Sequence, residues 1–63
     1  MNLQGKHVLI TGPTAGIGRA AALALAARGA TLTLLCRNPD KGRALAAEIV
    51  GMGGTPPTVV ALD

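Results

Sequence analysis

The sequence has no phenylalanine, tyrosine or tryptophan, a single cysteine, and only three acidic side chains in 63 residues. Each shortage excludes something. A core without aromatic rings must be assembled from Leu, Ile, Val and Ala, which suits helices lying closely on a sheet and leaves no bulky anchor for an independent miniature domain. The cations Lys6, Arg19, Arg28, Arg37, Lys41 and Arg43 are scattered and have no stacking rings between them, so the net charge of +3 does not read as a nucleic-acid surface. No nucleic-acid partner is expected. Cys36 has no second cysteine to pair with and no histidine cluster around it, which fits a reducing compartment and gives no expectation of a bound metal. The longest apolar region, 20–36, is interrupted by Arg28 and Gly29 and falls short of a membrane span, and no long apolar stretch precedes the first polar turn. A soluble cytoplasmic protein with no membrane partner is expected.

What is present is hydrophobic patterning that changes period along the chain. Residues 6–11, Lys-His-Val-Leu-Ile-Thr, form a short apolar run that ends in a glycine turn, the pattern of a strand buried on both faces. From Gly16 the period becomes helical, with Ile17, Ala20, Ala21, Ala24, Leu25 and Arg28 in step, many alanines supplying propensity and Gly29 as the stop. Residues 30–36 alternate β-branched and apolar side chains and read as a second strand. Asn38-Pro39-Asp40 is a helix start: a capping side chain, a proline suited to the first turn, and an acid at the positive end of the dipole. That helix is expected to run to about Val50 with a buried stripe of Leu45, Ile49 and Met52, and Gly42 weakens its first turn by about 1 kcal/mol relative to alanine. Residues 51–57 read as a loop and 58–62 as a third strand. The order β-α-β-α-β requires parallel strands with right-handed crossovers, which is one half of a doubly wound α/β fold of the Rossmann type.

The chemistry sits in the first turn. Thr11-Gly12-Pro13-Thr14-Ala15-Gly16-Ile17-Gly18-Arg19 carries glycines spaced Gly-x-x-x-Gly-x-Gly between a strand and a helix, the context such a motif demands. Gly12 allows the chain to leave the strand sharply, Gly16 allows backbone to approach a phosphate, and Gly18 allows the helix to lie near the sheet. The free amides at the head of the helix and its dipole then suit a pyrophosphate. Cofactor contacts are expected from Gly12, Thr14, Ala15, Gly16, Ile17 and Gly18, while Arg19 reaches either a phosphate or solvent. A nucleoside-triphosphatase loop is disfavoured, because Arg19-Ala20 follows Gly18 where Lys-Ser/Thr would be required.

The second strand sets the choice of dinucleotide. A fold that prefers NAD usually ends this strand with an acid that accepts from the adenosine ribose hydroxyls, but Cys36 stands there. Arg37 follows, and its fork of donors matches a 2′-phosphate that a carboxylate at 36 would have repelled. NADP (NADPH) is therefore expected over NAD, with Arg37 as the principal contact and Asn38 beside it. His7 is read as structural, Cys36 as a small buried spacer, and Arg28 and Arg43 as solvated.

Thr11 to Gly18 resembles the Thr-Gly-x-x-x-Gly-Ile-Gly signature of the short-chain dehydrogenase/reductase family, and the resemblance continues through Cys36-Arg37-Asn38-Pro39 to Ala61-Leu62-Asp63. The three-residue gap between the first two glycines resembles the family's single-domain branch. Pro13 lacks an amide hydrogen, so one phosphate donor is lost at that position. The resemblance implies that Asp63 hydrogen-bonds the adenine amino group, with Leu62 lining the ring's pocket, and that the backbone of Ile17 lies near the nicotinamide-ribose side of the pyrophosphate. It also implies an oxidoreductase that transfers hydride between NADPH and a carbonyl or alcohol substrate, through a Tyr-x-x-x-Lys pair and a Ser located after the third strand. This chain holds no tyrosine, so no catalytic residue is expected within it. Residues 1–63 are read as the N-terminal part of a single dinucleotide-binding domain, with the small-molecule substrate contacted by later chain and a homo-oligomer suggested by family analogy. A dinucleotide sensor without catalysis and a degenerate fragment are the alternatives; Asn-Ala-Gly and Tyr-x-x-x-Lys further along the gene distinguish the enzyme from both.

A chain this short keeps much of its surface exposed, and its first strand would be left with an open edge. The isolated 63-residue polypeptide is accordingly expected to be marginally stable and to self-associate. Sedimentation combined with thermal unfolding checks this: a monodisperse monomer with a cooperative transition would contradict it.

Overall fold

The computed structural model describes residues 2–12 and 16–62. Its elements follow the order β1 (His7–Thr11), α1 (Gly16–Ala27), β2 (Thr31–Cys36), α2 (Pro39–Gly51) and β3 (Thr58–Ala61). The three strands form one sheet in the order β1-β2-β3, all parallel, with His7 opposite Thr31 and Thr33 opposite Thr58. This is the β-α-β-α-β half of a doubly wound sheet, with each boundary within a residue or so of its sequence expectation.

Both helices end by the same device. At the end of α1 the Ala30 N–H donates to the Leu25 carbonyl and the Gly29 N–H to that of Ala26; at the end of α2, Gly54 donates to Ile49 and Gly53 to Val50. Gly29 and Gly53 hold φ of 96° and 86°, so each helix closes in a Schellman motif with glycine in the left-handed position.

The helices lie side by side on one face of the sheet. Val8, Ile10, Leu32, Leu34, Cys36 and Val59 face them, and the core is completed by Ala22, Ala26, Ala30, Leu45 and Ile49. Because strand side chains alternate, His7, Leu9, Thr11, Thr31, Thr33 and Leu35 turn to the other face, where Leu9 is 60% exposed. The expectation that the first strand is buried on both faces is corrected for this chain: β1 alternates exposed and half-buried, because both crossovers run in the same direction and leave the second face uncovered. On that face the His7 Nε2 and the Thr33 Oγ1 are hydrogen-bonded at 2.7 Å, which gives His7 a structural partner.

The buried side of α1 also differs from the sequence reading. Ala22 and Ala26 are its buried residues, whereas Ala20, Ala21, Ala24 and Ile17 are exposed. An alanine-rich helix offers little hydrophobic contrast from which to read a face. In α2, Leu45 and Ile49 are buried as expected, but Met52 lies just past the last turn and is 47% exposed. Gly42 has a role beyond its low helix propensity. A Cβ there would stand 2.5 Å from Cys36 Sγ and 2.9 Å from Val59 Cγ1, so the missing side chain is what allows α2 to press against β2 and β3.

Gly42→Ala is expected to lower stability by about 1 to 2 kcal/mol, since overpacking outweighs the gain in helix propensity. Cys36→Ala combined with it should recover part of that loss. Calorimetric melting of the single and double variants in the protein at its natural length checks both statements, and a Gly42→Ala melting temperature at or above that of the parent would refute the close-approach reading.

Candidate functional site

Parallel strands place their carboxyl ends at one edge of the sheet, and here the chain leaves β1 and β2 through the two turns that the sequence singles out. Gly12 stands at the exit of β1 with φ 63°, and Gly16 opens α1 with φ 58°. Apart from the local backbone and the chain neighbours, no atom of the described residues lies within 4 Å of where a Cβ would stand on either glycine. Both positions therefore need glycine for the backbone conformation and leave open space above the backbone. Ile17 follows, 89% exposed at the head of α1, and Gly18 is half-buried. Thr14, Ala15 and Asp63 lie outside the described residues, as does Pro13.

The Gly12 N–H donates to the Leu35 carbonyl at 3.1 Å, and the Leu62 N–H to the Cys36 carbonyl at 2.8 Å. These bonds extend the ladder past the last strand residues and bring the three strand exits level. Between them opens a cleft of about 430 Å³ lined by Thr11, Gly12, Leu35, Cys36, Arg37, Asn38, Lys41 and Leu62. Its volume falls within the range of small-molecule sites. Of the sequence-predicted residues, Gly12, Arg37 and Asn38 meet in this cleft, with Leu62 as the apolar wall; Gly16, Ile17 and Gly18 sit at the start of α1 outside its lining.

Asn38 has extended backbone and caps α2: its Oδ1 accepts from the Asp40 N–H at 3.1 Å and the Lys41 N–H at 3.3 Å, with Pro39 in the first turn. Cys36 is buried, its thiol 3.6 Å from the Leu34 carbonyl, and serves as the expected spacer. Arg19, open in the sequence between a phosphate and solvent, pairs its guanidinium with Glu48 of α2 and so joins the two helices. Both side chains are about half exposed, so the pair contributes at most about 1 kcal/mol. Arg43 pairs with Asp40 within α2. Among the described residues, Arg37 and Lys41 have no acidic partner. Lys41 is the lining residue that sequence reasoning passed over, although its place in the first turn, four residues after Arg37, was visible.

A parallel β-α-β-α-β sheet with a glycine-lined exit from its first strand defines the cofactor-holding half of a Rossmann fold. The chain belongs to the short-chain dehydrogenase/reductase family: the family model for short chain dehydrogenase matches residues 6–63. It is 47% identical over 49 residues to retinol dehydrogenase 11 of Homo sapiens, covering 78% of this chain and 15% of that protein. It is 45% identical to a 3beta-hydroxysteroid dehydrogenase of Mediterraneibacter gnavus, covering 78% of this chain and 18% of the relative. Among solved structures, a short chain dehydrogenase from Salmonella enterica superposes with a TM-score of 0.90 at 44% identity, covering 97% of this chain and 25% of the other. The chain thus spans a quarter or less of the length of these relatives. Membership of the family implies a nicotinamide dinucleotide as cofactor. Among the described residues no helix is long and apolar enough to cross a membrane.

Removing the cap isolates the structural part of this site. Asn38→Ala is expected to cost about 1 kcal/mol through two unsatisfied amides at the head of α2, whereas Asn38→Asp should keep the cap. Thermal denaturation of the two variants checks the difference; equal melting temperatures would contradict it.

Proposed function

We propose that residues 1–63 are the N-terminal part of a single dinucleotide-binding domain and hold NADP(H) for a short-chain dehydrogenase/reductase. The observation that carries the choice of NADP is the rim of the cleft at the end of β2. The buried Cys36 occupies the place of a ribose-binding acid, and Arg37, exposed and without an acidic partner among the described residues, lines the same cleft. A guanidinium there suits a 2′-phosphate, and no carboxylate stands on the described part of the rim to repel it.

The residues present fit the cofactor. Gly12, Thr14, Ala15, Gly16, Ile17 and Gly18 would hold the pyrophosphate with backbone donors, Arg37 and Asn38 the phosphorylated ribose, and Asp63 with Leu62 the adenine. The bound nicotinamide would, in its reduced form, supply hydride to a carbonyl substrate or, in its oxidised form, accept hydride from an alcohol. This chain's own residues bind and orient the cofactor. The proton-handling tyrosine of the family has no counterpart in the chain, so catalysis and substrate contact belong to residues beyond 63, as does any homo-oligomer interface. A cytoplasmic location accords with the single unpaired cysteine.

The experiment is a pair of calorimetric titrations of the protein at its natural length with NADP and NAD. NADP is expected to bind tighter, and Arg37→Ala is expected to remove about tenfold or more of that preference, the scale of a charge-assisted pair. Equal affinity for the two cofactors, unchanged by Arg37→Ala, would refute the assignment.

A further inference from the structure

One cation stands where a helix does not favour it. Arg19 is the fourth residue of α1, close to the positive end of the helix dipole, and no acid lies in that first turn to offset it. The offset comes from the neighbouring helix, where both carboxylate oxygens of Glu48 accept from the Arg19 guanidinium. Among the described residues this is the ion pair that crosses from one helix to the other. Glu48 is a fixed post for it. It precedes the fully buried Ile49, and its carbonyl accepts from the Met52 N–H at 3.1 Å. α2 as a whole is firmly seated, with Leu45 and Ile49 buried and Gly42 closed onto Cys36 and Val59. α1 is not held in the same way. Its buried residues are Ala22 and Ala26, with Leu23 and Leu25 half-buried, so it presents a smooth surface with few ridges to set its place on the sheet.

From this we infer that Arg19 is a positioning residue for the cofactor: through Glu48 it ties the head of α1 to the better-seated α2 and so steadies the backbone of Gly16, Ile17 and Gly18. It acts through that backbone and does not itself touch a phosphate. The inference rests on the reading of the α1 head as the pyrophosphate site and adds to it the strut that holds the head in place. An exposed pair contributes little to the stability of a fold, but this role does not require it to. A loosely held helix head must be ordered when the ligand binds, and that ordering subtracts from affinity. Several backbone donors that share one frame lose their common aim together when the frame is free to shift.

The test titrates NADP, NAD, ADP-ribose and 2′-AMP into Arg19→Met, Glu48→Gln and the charge-exchanged double variant Arg19→Glu/Glu48→Arg, each in the protein at its natural length and followed by calorimetry. The first three ligands carry a pyrophosphate and 2′-AMP does not. Arg19→Met and Glu48→Gln are each expected to weaken those three by about threefold to fivefold, the most a pair of this exposure supports, while 2′-AMP and the ratio of NADP to NAD affinity stay as in the parent. The exchanged pair is expected to recover most of the loss. A direct phosphate contact predicts opposite signs, because Glu48→Gln would free the guanidinium and Arg19→Glu would set a carboxylate against the ligand. Tighter binding in Glu48→Gln, no recovery in the exchanged pair, an equal loss for 2′-AMP, or no change in any variant overturns the inference. Gly16→Ala measured alongside separates it from the reading beneath it, since φ there is 58° and a side chain strains the turn. If Gly16→Ala weakens the pyrophosphate ligands and the Arg19 and Glu48 variants do not, the strut alone falls; if Gly16→Ala also leaves them unchanged, the pyrophosphate reading falls with it. Arg19 and Glu48 are both about half exposed, so their replacement leaves the core intact, and melting temperatures close to that of the parent confirm that binding and not folding is being read.

Discussion

The parallel register of β1 on β2 is the constraint on which the site depends. Thr11 faces Leu35 across the ladder, and the Gly12 N–H continues the pairing to the Leu35 carbonyl. One residue of slip would move the glycine turn along the sheet relative to Arg37 and would turn Leu32, Leu34 and Cys36 away from the helices. Burial of those three side chains opposes this slip, so the same apolar contacts that hold the core together also bring the exits of the two strands to one rim. The geometry of the cleft rim is thus a consequence of core packing together with the ladder bonds that continue past the strand ends.

Much of this was legible in the sequence because the signals were local. Strand-to-helix turns rich in glycine, the Asn38-Pro39-Asp40 start and the Gly29 stop each act over four or five residues, and the capping bonds form as those residues predict. The illegible features are relations between elements. Nothing near Arg19 in the chain points to Glu48, twenty-nine residues later. The buried edge of α1 could not be read where nearly every candidate was alanine. Gly42 looked like a flaw in a helix, and only the positions of Cys36 and Val59 turn it into the contact that seats the helix. The residues lining the cleft divide in the same way: Gly12, Arg37 and Asn38 were named from spacing and chemistry, while Lys41 required knowing that the first turn of α2 borders the cleft.

The uncovered face of the sheet is the counterpart of that core. Two right-handed crossovers in succession put both helices on the same side, and a doubly wound sheet reaches its second layer only when the chain reverses direction at the strand-order switch. With a quarter or less of its relatives' length, this chain contains the first half of that plan. Leu9 and Val60 are exposed on the open side, and the hydrogen-bonded His7 and Thr33 lie among them. A polar pair already satisfied within one face can be covered by apolar chain without leaving an orphaned donor, whereas either residue alone could not.

Charge follows the same economy of position. The chain carries an excess of cations, yet the acids of the described residues are spent on the helices, Glu48 with Arg19 and Asp40 with Arg43. Lys6 and Arg28 lie at the far end of the sheet, where the Thr31 N–H meets the Lys6 carbonyl and the Leu3 N–H that of Arg28. Arg37 and Lys41, without an acidic partner among the described residues, are the ones on the cleft. A positive balance spread along the sequence thus leaves, among the described residues, two cations without an acidic partner at the strand exits and two at the opposite end of the sheet. The helix-bound pairs contribute to that distribution, because they engage Asp40 and Glu48 and leave neither acid to pair with Arg37 or Lys41.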